Sequence, residues 1–597
     1  MAVYLLFMAV STANALDYYS NKSLGRRLAS IAKQDPNLIR VKTIAQSPGK
    51  RKVWLVEVGQ GAEADRKTRP AMLLVAGIEG NDLIGSSVTV SWIEHLVDQY
   101  ESDNEIAKLL QTTTVYVIPR LNPDSAERFF AQPKFETSLN SKPVDNDHDG
   151  LVDEDGPEDL NADGLITWVR VEDREGDYIL DSADDRLLVK ADHLKGEVGR
   201  WRYLTEGIDN DHDEQWNEDG PGGVNFNRNF PCNYEFFAPN AGLHQVSEAE
   251  TRALADFAIE HPNIGIVVAY GAADNLLKTP EATPAAPASG TAILAVGHGL
   301  EARATGRSRG RKPTSAIDQN DLSYYRVMGE KYREAIGLKK EMQGASCPGT
   351  FSDWMYFHRG RLSLAACPWS PAIAIELSKA GQTEEKTDPR FGGEKLAPAE
   401  AGGDEKVSDK SKTDQEKHNE QQRKELKWFD EHAPEAFSRW QPMEHPDFPG
   451  QRVEVGGYRP FSHSNPPAAM IEDIAARHAD FVTKVAQQLP RIGIRKVEAK
   501  HLGENVYEVK IQMENTGFLP TSLAHGQTTR EVYPTRIIIE MDNKCFLSGS
   551  RITNLPTIQG SCGMAEVRYV IHAPNRAGIN FKVVSMLAGQ AEGTVEF

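Results

Sequence analysis

The chain has 597 residues, with 67 Lys and Arg against 86 Asp and Glu, a formal net charge of −19. That length allows more than one domain, a 40% hydrophobic share fills an ordinary globular core, and the acidic balance argues against the basic face that nucleic-acid phosphates require. Five cysteines without a CxxC pattern are too few for a disulfide scaffold; Cys545 and Cys562 are left open as a disulfide or as two free thiols.

The first 15 residues, MAVYLLFMAVSTANA, are apolar and end in Ala-Asn-Ala, the small-x-small pattern of a cleaved export signal. No Lys or Arg precedes the run, so a first core strand is the alternative; with export, the protein is expected to be secreted or periplasmic. No run of about 18 apolar residues occurs, so no membrane-spanning helix is expected. Residues 24–33 read as an amphipathic helix, 52–58 and 71–76 as strands, 87–98 as a helix and 114–119 as a strand. Strands alternating with helices predict an α/β sheet, and unalternated runs such as AMLLVA and TVYVIP predict strands covered on both faces.

Acidic stretches at 145–163 and 209–219 then interrupt the pattern, which resumes with a helix at 248–260 and a strand at 265–270. Residues 381–427 are rich in Lys, Glu, Asp, Gln and Gly and poor in large apolar residues, so they are expected to be disordered or a loose loop. Residues 465–490 contain a helix. Beyond Pro490, segments such as VYEVKIQME, TRIIIEM, AEVRYVIHA and FKVVSML alternate between turn residues, which predicts an antiparallel β-sandwich over 491–597.

The acidic stretches carry oxygen side chains two residues apart: Asp145, Asp147 and Asp149, with Asp153 and Asp155 following; Asp159, Asn161 and Asp163; and Asp209, Asp211 and Asp213. Oxygens at alternate positions of a tight loop surround a hard cation, and Gly150 and Gly164 permit the sharp turn. No Glu stands at the twelfth position of any of the three, so neighbouring loops must complete the shell. Three such units favour structural Ca²⁺ over a merely solvated acidic loop, since unneutralised carboxylates at this density repel one another. Trp168 and Trp216 are candidates to cap these loops or simply to pack beside them.

Four segments, AGIEGND (76–82), LNPD (121–124), VNFNRNFP (224–231) and GTFSDWMYFHRGRLS (349–363), fall in an order that resembles the zinc carboxypeptidase family of the carboxypeptidase A type. The likeness is greatest to bacterial secreted members with acidic insertions and a C-terminal β-domain. It implies a mixed twisted sheet with helices on both faces over 16–490, with the acidic insertions at 143–223. It also implies a zinc ion on three protein ligands with an open position for water, a Glu general base, an oxyanion Arg and an Asn-Arg pair gripping the substrate carboxylate.

Residue by residue, the family's first His and its Glu fall on Glu79 and Asp82, and the second His falls on Ala269 or Gly271. The base falls on Cys367, with Glu376 of AIAIELS as a displaced candidate. Arg170 of WVRVE is the candidate oxyanion residue, and Asn227 and Arg228 match the carboxylate-gripping pair. Asp353 and Trp354 are expected to shape the pocket wall, and His148, His212, His244 and His358 are the nearest alternative imidazoles. Without imidazoles, hard oxygen ligands favour Mg²⁺ or Ca²⁺ over Zn²⁺. Three functions remain open: a carboxypeptidase-like protein that recognises peptide C-termini with lost or altered peptidase activity, an active zinc-dependent carboxypeptidase, and a structural or interaction protein with a vestigial pocket.

Overall fold

The computed structural model describes residues 17–145, 150–281, 316–385, 413–574 and 578–597. Six strands, β1 (Ile39–Gln46), β2 (Lys52–Val58), β3 (Ala71–Val75), β4 (Thr114–Ile118), β5 (Ile264–Tyr270) and β6 (Leu362–Ala366), form one sheet in the order β1-β2-β4-β3-β5-β6. The pairs β1/β2 and β2/β4 are antiparallel, and β4, β3, β5 and β6 run parallel. The helices used below are α1 (Asn21–Gln34), α2 (Leu83–Gln99), α3 (Ala249–Glu260), α4 (Phe351–Phe357), α5 (Pro371–Glu385), α6 (Asp414–His432) and α7 (Ile471–Ala486).

Both faces of the sheet are covered, as the unalternated apolar runs require. On β3, Met72 and Leu74 enter a core shared with α1, α2 and α7. Ala71, Leu73 and Val75 enter the opposite core with α3 and α4. Truncating one of these buried leucines to Ala would cost roughly 2–5 kcal/mol. Helix α2 starts at Leu83, ahead of the expected 87, because its first turn is capped twice. Asp82 Oδ1 accepts from Gly85 N at 3.2 Å, and Asn465 Oδ1 accepts from Leu83 N and Ile84 N at 2.8 and 3.1 Å.

The acidic insertion builds a second, wholly antiparallel six-stranded sheet that pattern reading did not anticipate. Its order is 437–443, 453–458, 168–172, 201–205, 178–180, 188–190. The expectation of disorder over 381–427 is corrected at both ends. Helix α5 continues to Glu385, and α6 begins at Asp414 with a Thr413/Glu416 capping box. The anchors of α6 are Leu426, Trp428 and Phe429, buried at its far end, while Arg423 pairs with Asp181. The composition of 381–427 alone omits two of those three apolar anchors. Residues 386–412 lie outside the described residues, as do 1–16 with the expected export signal.

Residues 491–597 form two four-stranded antiparallel sheets, ordered 492–503, 506–515, 563–572, 546–548 and 552–554, 536–539, 579–585, 589–595. Alternate residues of 506–515 are buried between them. The sandwich is fixed to the α/β layer: Asp321 accepts from Ala524 N and His525 N at 2.8 and 3.0 Å, and Arg359 pairs with Glu531 at 2.5 Å. Cys545 and Cys562 are free thiols. Among the described residues, no helix is long and apolar enough to cross a membrane.

Candidate functional site

The parallel strands β4, β3, β5 and β6 end at one edge of the central sheet, where open α/β sheets collect functional loops. Glu79 lies in the turn between β3 and α2, Asp82 at the cap of α2, Gly271 directly after β5 and Cys367 directly after β6. The structure brings Glu79, Gly271 and Asn227 together. Asn227 Nδ2 donates to Glu79 Oε1 at 2.5 Å, Ala272 N to Glu79 Oε2 at 3.4 Å, and a Cβ built on Gly271 would overlap Glu79 Oε2. Burial raises the Glu79 carboxyl above the ordinary range against these hydrogen bonds. Asp82 is pushed up to about 7, first by burial and further by Glu79, with Arg120 and Gly85 N opposing. Its Oδ2 is buried without a hydrogen-bond partner.

Sequence reasoning missed Arg120. The residue is fully buried, its Nε donates to Ser86 Oγ at 3.1 Å, and neither Nη has a partner. Burial lowers its pKa to about 10 despite Glu127 and Asp82. The one signal for it was an Arg placed between TVYVIP and LNPD. Cys367 is no base: its thiol donates to Trp369 O at 3.1 Å, and burial beside Asp82 and Asp274 holds it protonated.

Three expected site residues are engaged elsewhere. Arg170 stands opposite Glu454 in the second sheet, with Nε 2.7 Å from Glu454 Oε2 and Nη1 donating to Asp185 O, and its guanidinium lies over Trp201 and Trp440. That is the geometry of a structural ion pair, and it corrects the oxyanion expectation. Glu376 lies on α5 in ion pairs with Lys379 and Lys340. Asn227 turns one Nδ2 N–H to Glu79, and its Oδ1 accepts from Phe351 N at 3.3 Å. Arg228 is the accessible member of the pair: Nη1 donates to Pro239 O at 3.1 Å and Nη2 meets the exposed Glu235 at 3.3 Å. Trp354 stacks on Phe230, and Asp353 is half-buried at the start of α4, its N–H donating to Thr350 Oγ1. His244 is an exposed loop residue, His358 is exposed just after α4 with its pKa lowered by partial desolvation, and His148 lies outside the described residues.

In the acidic insertion, Asp209, Asp211 and Asp213 place one carboxylate oxygen each within 4.8 Å of one another. Asp209 accepts from His212 N, Asp213 N and Glu214 N, which folds the loop around that carboxylate. His212 is thus a loop residue, with φ 69°. Asp159, Asn161 and Asp163 form a similar turn, with Gly164 N donating to Asp159 at 2.8 Å. The buried Glu206 clamps that turn through Leu160 N, Asn161 N and Thr167. Of the first unit, Asp145 accepts from Gly150 N and Asp153 N donates to Asp219, while Asp147 and Asp149 lie outside the described residues. Trp216 ties its loop to Asp447 and stacks on Phe448, whereas Trp168 stacks on Tyr203.

The fold and this edge define a mixed α/β protein with a carboxylate-lined site at the ends of parallel strands. Residues 26–151 match the zinc carboxypeptidase family model. Residues 491–596 match a domain of unknown function, DUF8731. Carboxypeptidase M of Mus musculus is 28% identical over 122 residues, 20% of this chain and 28% of that protein. Carboxypeptidase D of Rattus norvegicus is 31% identical over 121 residues, 20% of this chain and 9% of that protein. The chain thus spans less than a third of the length of these relatives. Among solved structures, carboxypeptidase A of Helicoverpa armigera is 12% identical, covering 62% of this chain and 73% of that one, with a TM-score of 0.36.

The family implies zinc, and the residues here do not fit it. Among the described residues the site offers two carboxylates and no imidazole, one carboxylate is already bound by Asn227, and Gly271 has no side chain to offer. Among the described residues, neither Glu79 nor Asp82 belongs to a group of three potential ligands within metal-binding distance.

Proposed function

We propose that the chain is a carboxypeptidase-like protein that recognises peptide C-terminal carboxylates without zinc-dependent hydrolysis. The observation that carries this reading is Glu79, which takes the place of a ligand imidazole and spends the Asn227 amide on itself. With one Asn227 N–H turned to Glu79, recognition rests chiefly on Arg228, whose planar fork suits a carboxylate and whose Glu235 contact is long and exposed. The insertion supports a structural Ca²⁺ at Asp209, Asp211 and Asp213, and the apolar segment ending in Ala-Asn-Ala supports export.

The test has two arms. Metal analysis after dialysis against a weak chelator should find no stoichiometric zinc, and C-terminal hydrolysis should be absent. One zinc per chain, lost with Glu79→Ala, would return the protein to the active carboxypeptidases. In the second arm a free-acid peptide should bind more tightly than its C-amidated form, and Arg228→Lys should weaken the free acid by about one to two decades. Equal binding of acid and amide leaves a vestigial pocket.

A further inference from the structure

A second cavity lies apart from the Glu79 site. It has a volume of about 600 Å³ and opens between residues 135–145, the insertion at 217–224 and the loop 237–243. Phe135, Thr137 and Leu139 line it, whereas the intervening Glu136 and Ser138 bond Asn81 and Asn225 on the other side. One extended segment therefore separates the two sites. The walls include Val144, Pro221 and Leu243, and the rim carries Phe237, whose ring is fully exposed. Phe237 has φ 66°, a left-handed conformation costly for a bulky residue. Its loop is nevertheless held from beneath: Tyr234 OH donates to Gly242 O at 2.6 Å, Asn229 Nδ2 to Ala241 O at 2.7 Å and Asn225 N to Asn240 O at 2.9 Å. The fold thus fixes an aromatic ring in solvent at the mouth of an apolar cleft, which marks a binding surface.

The polar lining sets the charge of the occupant. The Glu218 side chain lines the cleft, with its carboxylate oxygens buried beside Asp155. Asp145 also lines the cleft, and Lys142, the one cation among the described lining residues, is held by Glu248 at 2.9 Å. Among the described residues Glu218 belongs to no group of three potential ligands within metal-binding distance. An organic cation with an apolar neighbour satisfies both features, with the exposed ring available to its charged head. We propose that this cleft binds a peptide segment carrying a lysine or arginine beside apolar side chains, independently of any C-terminal carboxylate.

The experiment uses the full chain and a fluorescent peptide blocked by acetylation and amidation, with Leu and Lys alternating, read by anisotropy. Two control peptides replace Lys by norleucine or by Glu. The Lys peptide should bind about ten-fold tighter than either control. Phe237→Ala and Glu218→Gln should each weaken it about five-fold or more, with melting curves and the calcium-induced shift unchanged. Since the peptide has no free carboxylate, this outcome is separate from the Arg228 test. Equal binding of all three peptides, no saturable binding, or insensitivity to both variants would overturn the proposal. So would loss of the calcium shift in Glu218→Gln with peptide binding intact, which would assign Glu218 to a metal.

Discussion

Asp82→Asn isolates the electrostatic cost of the altered site. The Asp82 carboxyl is pushed from 3.8 to about 7, chiefly by burial. The folded chain therefore holds a proton that the unfolded chain has released across this window, so folding takes up a proton and stability falls as pH rises from about 4 to 7. A shift of about three units at 1.36 kcal/mol each gives about 4 kcal/mol, fully charged against the wild type above the folded value. Asn keeps the carbonyl that caps Gly85 N and places its amide where Oδ2 has no partner. The substitution thus removes the titration and keeps the cap. Urea unfolding of both proteins with chelator present, at about pH 4.5, 6 and 7.5, should show a stability difference of only about 1 kcal/mol at the acid end. The difference should grow to a few kcal/mol in favour of Asn at the alkaline end. A difference that does not change with pH, or that grows toward acid, would refute the reasoning.

Calcium at about 100 times its dissociation constant should add about 2.7 kcal/mol; Asp209→Asn should abolish the corresponding rise in melting temperature, and no difference between calcium and chelator would remove the metal from the insertion. Arg170→Ala should destabilise through the stranded Glu454, toward the low end of about 3–5 kcal/mol because Arg452 also pairs with that carboxylate. It should leave free-acid peptide binding unchanged, and a loss of binding without a loss of stability would restore Arg170 to the site. Gly271→Ala should cost about 1–3 kcal/mol by overlap with Glu79. In a Glu79→Ala background that cost should vanish, so additive effects in a denaturation cycle would show that the two positions do not meet.

Elements with strong local signals were legible. The strand at 52–58 agrees with β2 residue for residue, and the unalternated AMLLVA and TVYVIP are β3 and β4, buried at every residue. The alternation after Pro490 is the two-sheet sandwich. The second sheet was not legible. Its strands at 178–180 and 188–190 are three residues long, and its partners at 437–443 and 453–458 come from far along the chain. A three-residue run has no period to read, and long-range pairing leaves no local trace. The helix α6 was hidden for a different reason: its polar length is held by apolar residues confined to one end.

At the site, spacing located residues and could not say what they touch. The alignment of Glu79 and Gly271 with ligand positions proved spatially coherent, since a Cβ at 271 would meet that carboxylate. What spacing could not show is the consequence of exchange. A carboxylate in place of an imidazole is an acceptor only, and in a buried edge it draws the nearest donor, here the Asn227 amide. Asp82 in turn caps α2. The residues that a zinc enzyme would direct outward at metal and substrate are thereby turned inward on one another, and Arg228 alone keeps a face toward solvent. Each polar group in a buried edge must be satisfied by whichever partner remains, and here the Glu79 carboxylate meets the Asn227 amide.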